Sequence, residues 1–201
     1  MNIELQSALT LDEDESRNRV LDCARELYIE FGLRRTTMED VAKRVGIGRA
    51  TLYRRFSDKE QLFQAVILRD TQRDLIRIQE AVQRQHSFLD GLLEAFVLAV
   101  TYIHHNPLLS RLLTTEPDHV LPSLTTGFPP IMAFTRNFVA SQIRRGQEAG
   151  QIKAVPADSA AEMLLRLIHS LMLTPNGVIN PGDEANLREF ANQFIRPTLK
   201  P

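Results

Sequence analysis

Residues 37–59 read TMEDVAKRVGIGRATLYRRFSDK, and few folds can absorb that stretch. Met38, Val41, Ala42 and Val45 recur at i, i+3, i+4 and i+7, which lays one apolar stripe along a helix of about two turns. Thr37 caps its start, Asp40 stands three residues on in the place of a capping-box acid, and Gly46 supplies the left-handed residue that ends it. Leu52 and Phe56, four apart, turn inward with Ile47. Arg49, Thr51, Tyr53, Arg54 and Arg55 remain for the outer surface of a second short helix. Two short helices across a glycine-containing turn make a helix-turn-helix.

The outer face suits a polyanion. Lys43, Arg44, Arg49, Arg54, Arg55 and Lys59 are expected to be opposed locally only by Asp58, which concentrates positive charge on the second helix. Base edges need short side chains near the helix N-terminus, so that backbone can descend into the major groove, and a donor fork that reads guanine. Gly48, Ala50 and Thr51 are short, and Arg49 is the fork. The bland alternative is a solvated cationic face on an ordinary helix pair.

The segment FGLRRTTMEDVAKRVGIGRATLYRRFSDKEQLF resembles the N-terminal signature of the TetR family of transcriptional regulators, including the glycine after the first short helix, the Thr-Leu-Tyr triplet, the Phe and the Lys-Glu pair. The resemblance covers about the first quarter of the chain. It implies that Thr37 and Tyr53 contact phosphates, that Arg49 and Thr51 approach bases, and that Lys59 neutralises phosphate from the start of the next helix. Gly48 stands where the family often has a capping Ser, Ala50 where it often has Gly, and Arg55 where it often has His. Arg55 keeps the phosphate role with permanent charge, and Gly48 caps more weakly than Ser by a few tenths of a kcal/mol.

A chain of 201 residues with 43% hydrophobic side chains can bury a sizeable core. Its net charge of −1 and isoelectric point near 6.5 leave nucleic-acid binding to the local basic cluster. One cysteine, Cys23, allows no internal disulfide and reads as a small filler. The acidic N-terminus is no secretory signal, so a reducing cytoplasm is the expected compartment. Asp90 and Glu94 interrupt one apolar run, and Arg166 and His169 another, so neither reaches the length of a membrane span.

Residues 1–10 show no strong period. Thr10 with Glu13 reads as a capping box for a helix carrying Val20, Leu21, Ala24, Leu27, Tyr28 and Phe31 on its apolar face, up to Gly32. Ser57 and Glu60 read as a second capping box, opening a helix to about Gln83 that spans on the order of 40 Å and serves as a lever between two domains. The expected division is a DNA-binding domain over residues 1–60 and a helical ligand-binding and dimerisation domain over 61–201, all-α throughout. Asn106-Pro107 closes one helix and caps the next, Pro117 to Pro130 break the chain into short pieces, and Ile131 to Ile143 restore a helix ending near Gly146 or Gly150. The helix after Pro156 is apolar nearly all round, and the last amphipathic helix, Leu187 to Ile195, ends before Pro197. Two such helices from each of two chains form a four-helix bundle, which is also how the family dimerises. A homodimer spaces two reading heads about 34–36 Å apart for a palindromic duplex operator.

Phe96, Val100, Tyr102, Ile103, Phe134, Phe138, Met163 and Leu167 are candidate lining for a small, largely apolar effector, with His105, Arg136 or His169 as polar anchors. Each of these residues alone reads more readily as core than as a ligand contact, and the collection carries more than its members. Adjacent His104 and His105 point about 100° apart on a helix and cannot chelate one metal, and no His-x-x-x-His or Cys-x-x-Cys spacing occurs. Ser170 beside His169 lacks a nucleophile turn, and no glycine-rich phosphate loop is present, so neither enzyme nor cofactor is expected. The expected function is a regulator, most often a repressor, released from its operator by the effector. The competing readings are a helical-bundle enzyme or carrier, and an interaction module whose basic helix docks an acidic protein.

Overall fold

The computed structural model describes residues 15–126 and 129–201. The capping box at Thr10 and the turn at Gly127 lie outside the described residues. Among the described residues every regular element is helical: α1 (Glu15–Phe31), α2 (Met38–Val45), α3 (Arg49–Arg55), α4 (Lys59–Val82), α5 (Phe88–His104), α6 (Pro107–Thr115), α7 (Pro117–Leu124), α8 (Pro129–Glu148), α9 (Ala157–Leu173), α10 (Glu184–Phe190), a π-helical turn (Ala191–Ile195) and α11 (Arg196–Leu199). The described residues gather into two compact units, one of those up to Arg73 together with 110–120, the other of those in 74–109 and 121–201. Among the described residues no helix is long and apolar enough to cross a membrane.

In the first unit the apolar stripes expected for α1 to α4 are buried, with Val20, Leu21, Ala24, Leu27, Tyr28, Val41, Leu52, Phe56, Leu62, Phe63 and Val66 all inside. The Tyr28 and Phe63 rings meet edge to face at 5.8 Å. Phe31 differs: it sits at the last turn of α1 and stays 45% exposed. The start of α4 also differs from expectation. Asp58, not Ser57, caps it, accepting from the Gln61 backbone N–H at 2.8 Å. The side-chain carbonyl of Gln61 accepts from the Ser57 N–H at 2.8 Å, so Gln61 closes the cap through its backbone to Asp58 and through its side chain to Ser57.

The turn between α1 and α2 is pinned from a distance in sequence. Gly32 adopts φ +86°, and its N–H closes α1 on the Tyr28 carbonyl. The Glu116 carboxylate accepts from the Arg34 N–H at 2.9 Å, and Oε1 of Glu116 stands 2.0 Å from where a Cβ on Gly32 would lie. Arg111 donates to the Glu30 carbonyl at 3.3 Å. Residues 110–120 thus clamp the turn that leads into α2.

The core of the second unit combines Leu89, Leu93, Phe96 and Val97 of α5, Ile143 of α8, Ala161 and Leu164 of α9, and Leu187, Ile195 and Leu199 from the C-terminal segment. Asn106 caps α6 as expected, its side chain accepting from the Leu108 N–H at 3.0 Å. Gly146 lies inside α8, which runs to Glu148, and Gly150 with φ +67° follows. Helical structure continues past Pro197, contrary to the expected stop. The π turn moves the Arg196 N–H onto the Ala191 carbonyl five residues back, and proline then occupies the first turn of α11, where its missing N–H costs little.

Gly46 offers a control for Gly32, since it is also left-handed, at φ +80°, with nothing within 4 Å of its Cβ position. Gly46→Ala is expected to cost about 1 kcal/mol in urea unfolding, from strain alone. Gly32→Ala should cost clearly more, because Glu116 must also leave the Arg34 N–H. The double variant Gly32→Ala/Glu116→Ala should then fall short of the sum of its parts.

Candidate nucleic-acid interface

The two short helices form the expected helix-turn-helix. Thr37 is a β-region N-cap whose hydroxyl accepts from the Asp40 N–H at 3.2 Å, and the Asp40 carboxylate receives the Thr37 N–H at 2.9 Å. The Thr37 hydroxyl also donates to that carboxylate at 2.6 Å, and this bond first, then the backbone one, holds the Asp40 carboxyl below the usual carboxylate range. At the other end of α2 the Ile47 N–H reaches the Ala42 carbonyl and the Gly46 N–H the Lys43 carbonyl, a Schellman closure that aims the chain into α3. Gly48 caps α3 with its carbonyl, which accepts from the Thr51 and Leu52 N–H groups, and makes no side-chain cap.

Burial of Leu52 and Phe56 turns the rest of α3 outward. Gly48, Arg49, Ala50, Tyr53 and Arg54 are exposed, with Thr51 and Arg55 half-buried. Arg55 donates to the Ser16 hydroxyl at 3.0 Å, so its guanidinium lies beside the start of α1. Lys59 is half-buried, and its ammonium donates to the Leu33 and Arg34 carbonyls at 2.9 and 3.3 Å. Thr37, at the α2 N-terminus, is exposed.

The local charge balance is a correction. Asp58 is not the sole opponent of the basic residues: Arg49 pairs with Glu39 of α2, and Arg44 pairs with Glu30 and Glu26 of α1 at 3.2 and 3.5 Å. Sequence spacing missed these because the partners sit on other helices, ten or more residues away. An open concavity of about 570 Å³ on this unit is lined by Leu27, Phe31, Arg35, Thr36, Asp40, Lys43 and Arg44, none of them a candidate effector contact.

Those effector candidates fall into three environments in the second unit. Phe96 and Val100 are buried in its core, with Leu167 packed against them. Tyr102, Ile103 and Phe138 are half-buried, while His105, Phe134 and Met163 are exposed. His105 Nδ1 lies 2.9 Å from its own helix's Thr101 carbonyl, His169 Nε2 lies 2.8 Å from the Leu124 carbonyl, and Arg136 pairs with Glu162 at 3.6 Å. Among the described residues no group of three or more His, Cys, Asp or Glu is placed to hold a metal.

A cationic helix held outward on a capped helix-turn-helix is the working part of a DNA-binding transcriptional regulator, and known proteins of that class match this chain. Residues 20–66 fit the family model described as bacterial regulatory proteins, tetR family. The chain is 31% identical over 185 residues to the HTH-type transcriptional regulator UidR of Escherichia coli K12, covering 88% of this chain and 87% of UidR. Its fold matches the TetR family repressor AlkX from Dietzia sp. strain DQ12-45-1b, implicated in biodegradation of n-alkanes, with a TM-score of 0.68 at 23% identity over 90% of this chain and 98% of AlkX. It also matches a structure solved for the molecular basis of control of antibiotic production by bacterial hormones, with a TM-score of 0.67 at 20% identity over 94% of this chain and all of that one. The chain belongs to the TetR family, a family of regulators and not of enzymes.

The capping box sets a stability test. Thr37→Ala should lower unfolding free energy by about 1 kcal/mol at neutral pH. Because folding depresses the Asp40 pKa, its contribution is whole above the unfolded value and is lost as pH falls through the folded one. The gap between wild type and Asp40→Asn in urea unfolding should stay flat from about pH 7 to 5 and close below about pH 4.

Proposed function

We propose that the protein is a homodimeric repressor in the cytoplasm that grips a palindromic operator and releases it when a small, largely apolar effector binds. In this reading residues 1–60 read DNA, and residues 61–201 bind the effector and pair the two chains. The observation that carries it is the outward face of α3, where Arg49, Tyr53 and Arg54 stand exposed over a buried Leu52. Thr37, Tyr53, Arg54, Arg55 and Lys59 engage phosphates, and Gly48, Arg49, Ala50 and Thr51 lie against base edges. Two of the three Lys59 N–H bonds go to carbonyls, which leaves one for a phosphate and fixes the direction from which it comes.

Pairing is supported by apolar surface on the C-terminal helices. Phe194 is 57% exposed although its ring lies 5.3 Å from that of Phe190, and Met163 on α9 is 38% exposed. Release is a population shift in which the effector favours a dimer whose reading heads miss successive grooves; coupling of about 1–3 kcal/mol is the usual scale. The clamp from Glu116 and Arg111 onto the α1–α2 turn supports a second route besides α4, since Arg111 lies in α6 and Glu116 directly after it, and α6 follows in the chain on α5, which carries Tyr102 and Ile103 and ends at His105.

Selection of duplexes from a random library on the purified protein tests the reading. An inverted repeat should emerge, with affinity falling steeply with salt, and Arg54→Ala should lower the slope of log K against log salt by about 1 for any duplex. Phe194→Asp should turn the dimer into a monomer by light scattering and abolish tight binding to the selected repeat. A monomeric wild type that enriches nothing would end the proposal.

A further inference from the structure

The ion pair between Arg49 and Glu39 joins the N-terminal turns of α2 and α3. Arg49 is the first residue of α3, and Glu39 is the second residue of α2, two positions after Thr37. Both side chains are more than half exposed, at 65% and 53%, so nothing in the protein core requires the pair. An exposed ion pair contributes little stability. A carboxylate at this place also repels every phosphate that approaches Thr37, and so lowers affinity for any duplex.

We propose that Glu39 is a positioning residue that sets base specificity through Arg49; the inference rests on the DNA-reading function proposed above. A guanidinium has donors on more than one edge. Oε2 of Glu39 meets Nη2 of Arg49 and restrains where the fork lies, which leaves its other donors to face guanine N7 and O6 in a bidentate geometry. An untethered Arg49 would swing to the nearest phosphate, where it gains affinity without reading sequence. The carboxylate acts on both terms together: it holds the fork on the base and weakens binding to non-operator DNA.

The experiment uses the full-length protein and duplexes selected from a random library on wild type, followed by the same selection on Glu39→Gln, Arg49→Ala and Glu39→Gln/Arg49→Ala. Glu39→Gln should bind unrelated duplexes more tightly and with a salt slope steeper by about 1. Its preference for the selected duplex over an unrelated one should fall about 5- to 10-fold. The loss of preference should fall at the same base pair that Arg49→Ala relaxes, and in the Arg49→Ala background Glu39→Gln should leave the preference unchanged. Equal tightening on all duplexes, with preference kept, would overturn the inference by reducing Glu39 to a bulk charge. Relaxation at a different base pair would overturn it too, because Glu39 would then read a base itself. If wild type enriches no sequence, the DNA-reading function fails and takes this inference with it.

Discussion

Burial of a few side chains from two very short helices is the constraint on which the reading head depends. α2 and α3 span eight and seven residues, below the length at which an isolated helix holds together in water. Met38, Val41, Ala42 and Val45 from one, and Leu52 with Phe56 from the other, are buried, and a fully buried side chain of this size contributes roughly 1.5–3 kcal/mol. The helical period then decides the rest. With Leu52 inward, Arg49, Tyr53 and Arg54 have no other side to occupy, so the cationic face is a consequence of the core.

Charge fixes what apolar packing leaves loose. Where α4 passes α1, Arg25 binds Asp70 at 2.6 Å, and the nearly buried Arg69 lies 2.9 Å from Asp22 and donates to the Asn18 carbonyl at 3.0 Å. Burial lowers the Arg69 pKa, Arg73 lowers it further, and Asp22 and Asp70 work against both. Such partly buried pairs add little net stability but are costly to break singly, which makes them devices of register. Arg73, 3.4 Å from Asp22, extends the tie between α4 and α1 to the end of the first unit's share of the helix. Packing thus divides the long helix near Arg73, and the ionic lock holds its first half on α1.

The parts of the fold that follow a local rule were legible in the sequence. The Thr37–Asp40 box, the Gly46 stop and the Asn106-Pro107 start each depend on residues within a few positions, and each stands as the spacing requires. Rules with near-equivalent options slipped by a step, as at Ser57 and Asp58, where neighbouring side chains can both cap. The continuation through Pro197 was hidden because a widened π turn leaves no mark in apolar periodicity. Glu39, Glu30 and Glu116 were invisible for a different reason: their partners lie on other helices or, for Glu116, in a turn 82 residues away, and nothing in a linear pattern pairs a carboxylate with such a group.

The effector candidates show where pattern reading stops. Phe96 and Val100 obey the same helical repeat as Phe134 and Met163, yet the first two are sealed in the core and the last two face out. A large apolar side chain satisfies a filled core and a cavity wall equally well, so more of them add no discrimination. A polar atom does discriminate, because a well-filled core has no use for it unless it is hydrogen-bonded. Thr101 of α5 is 8% exposed, and its hydroxyl, buried without a hydrogen-bond partner, is such an atom. It lies one residue before Tyr102 and one helical turn before His105, which takes the Thr101 carbonyl. That one unpartnered hydroxyl therefore says more about how the second unit's core is filled than the whole set of phenylalanines.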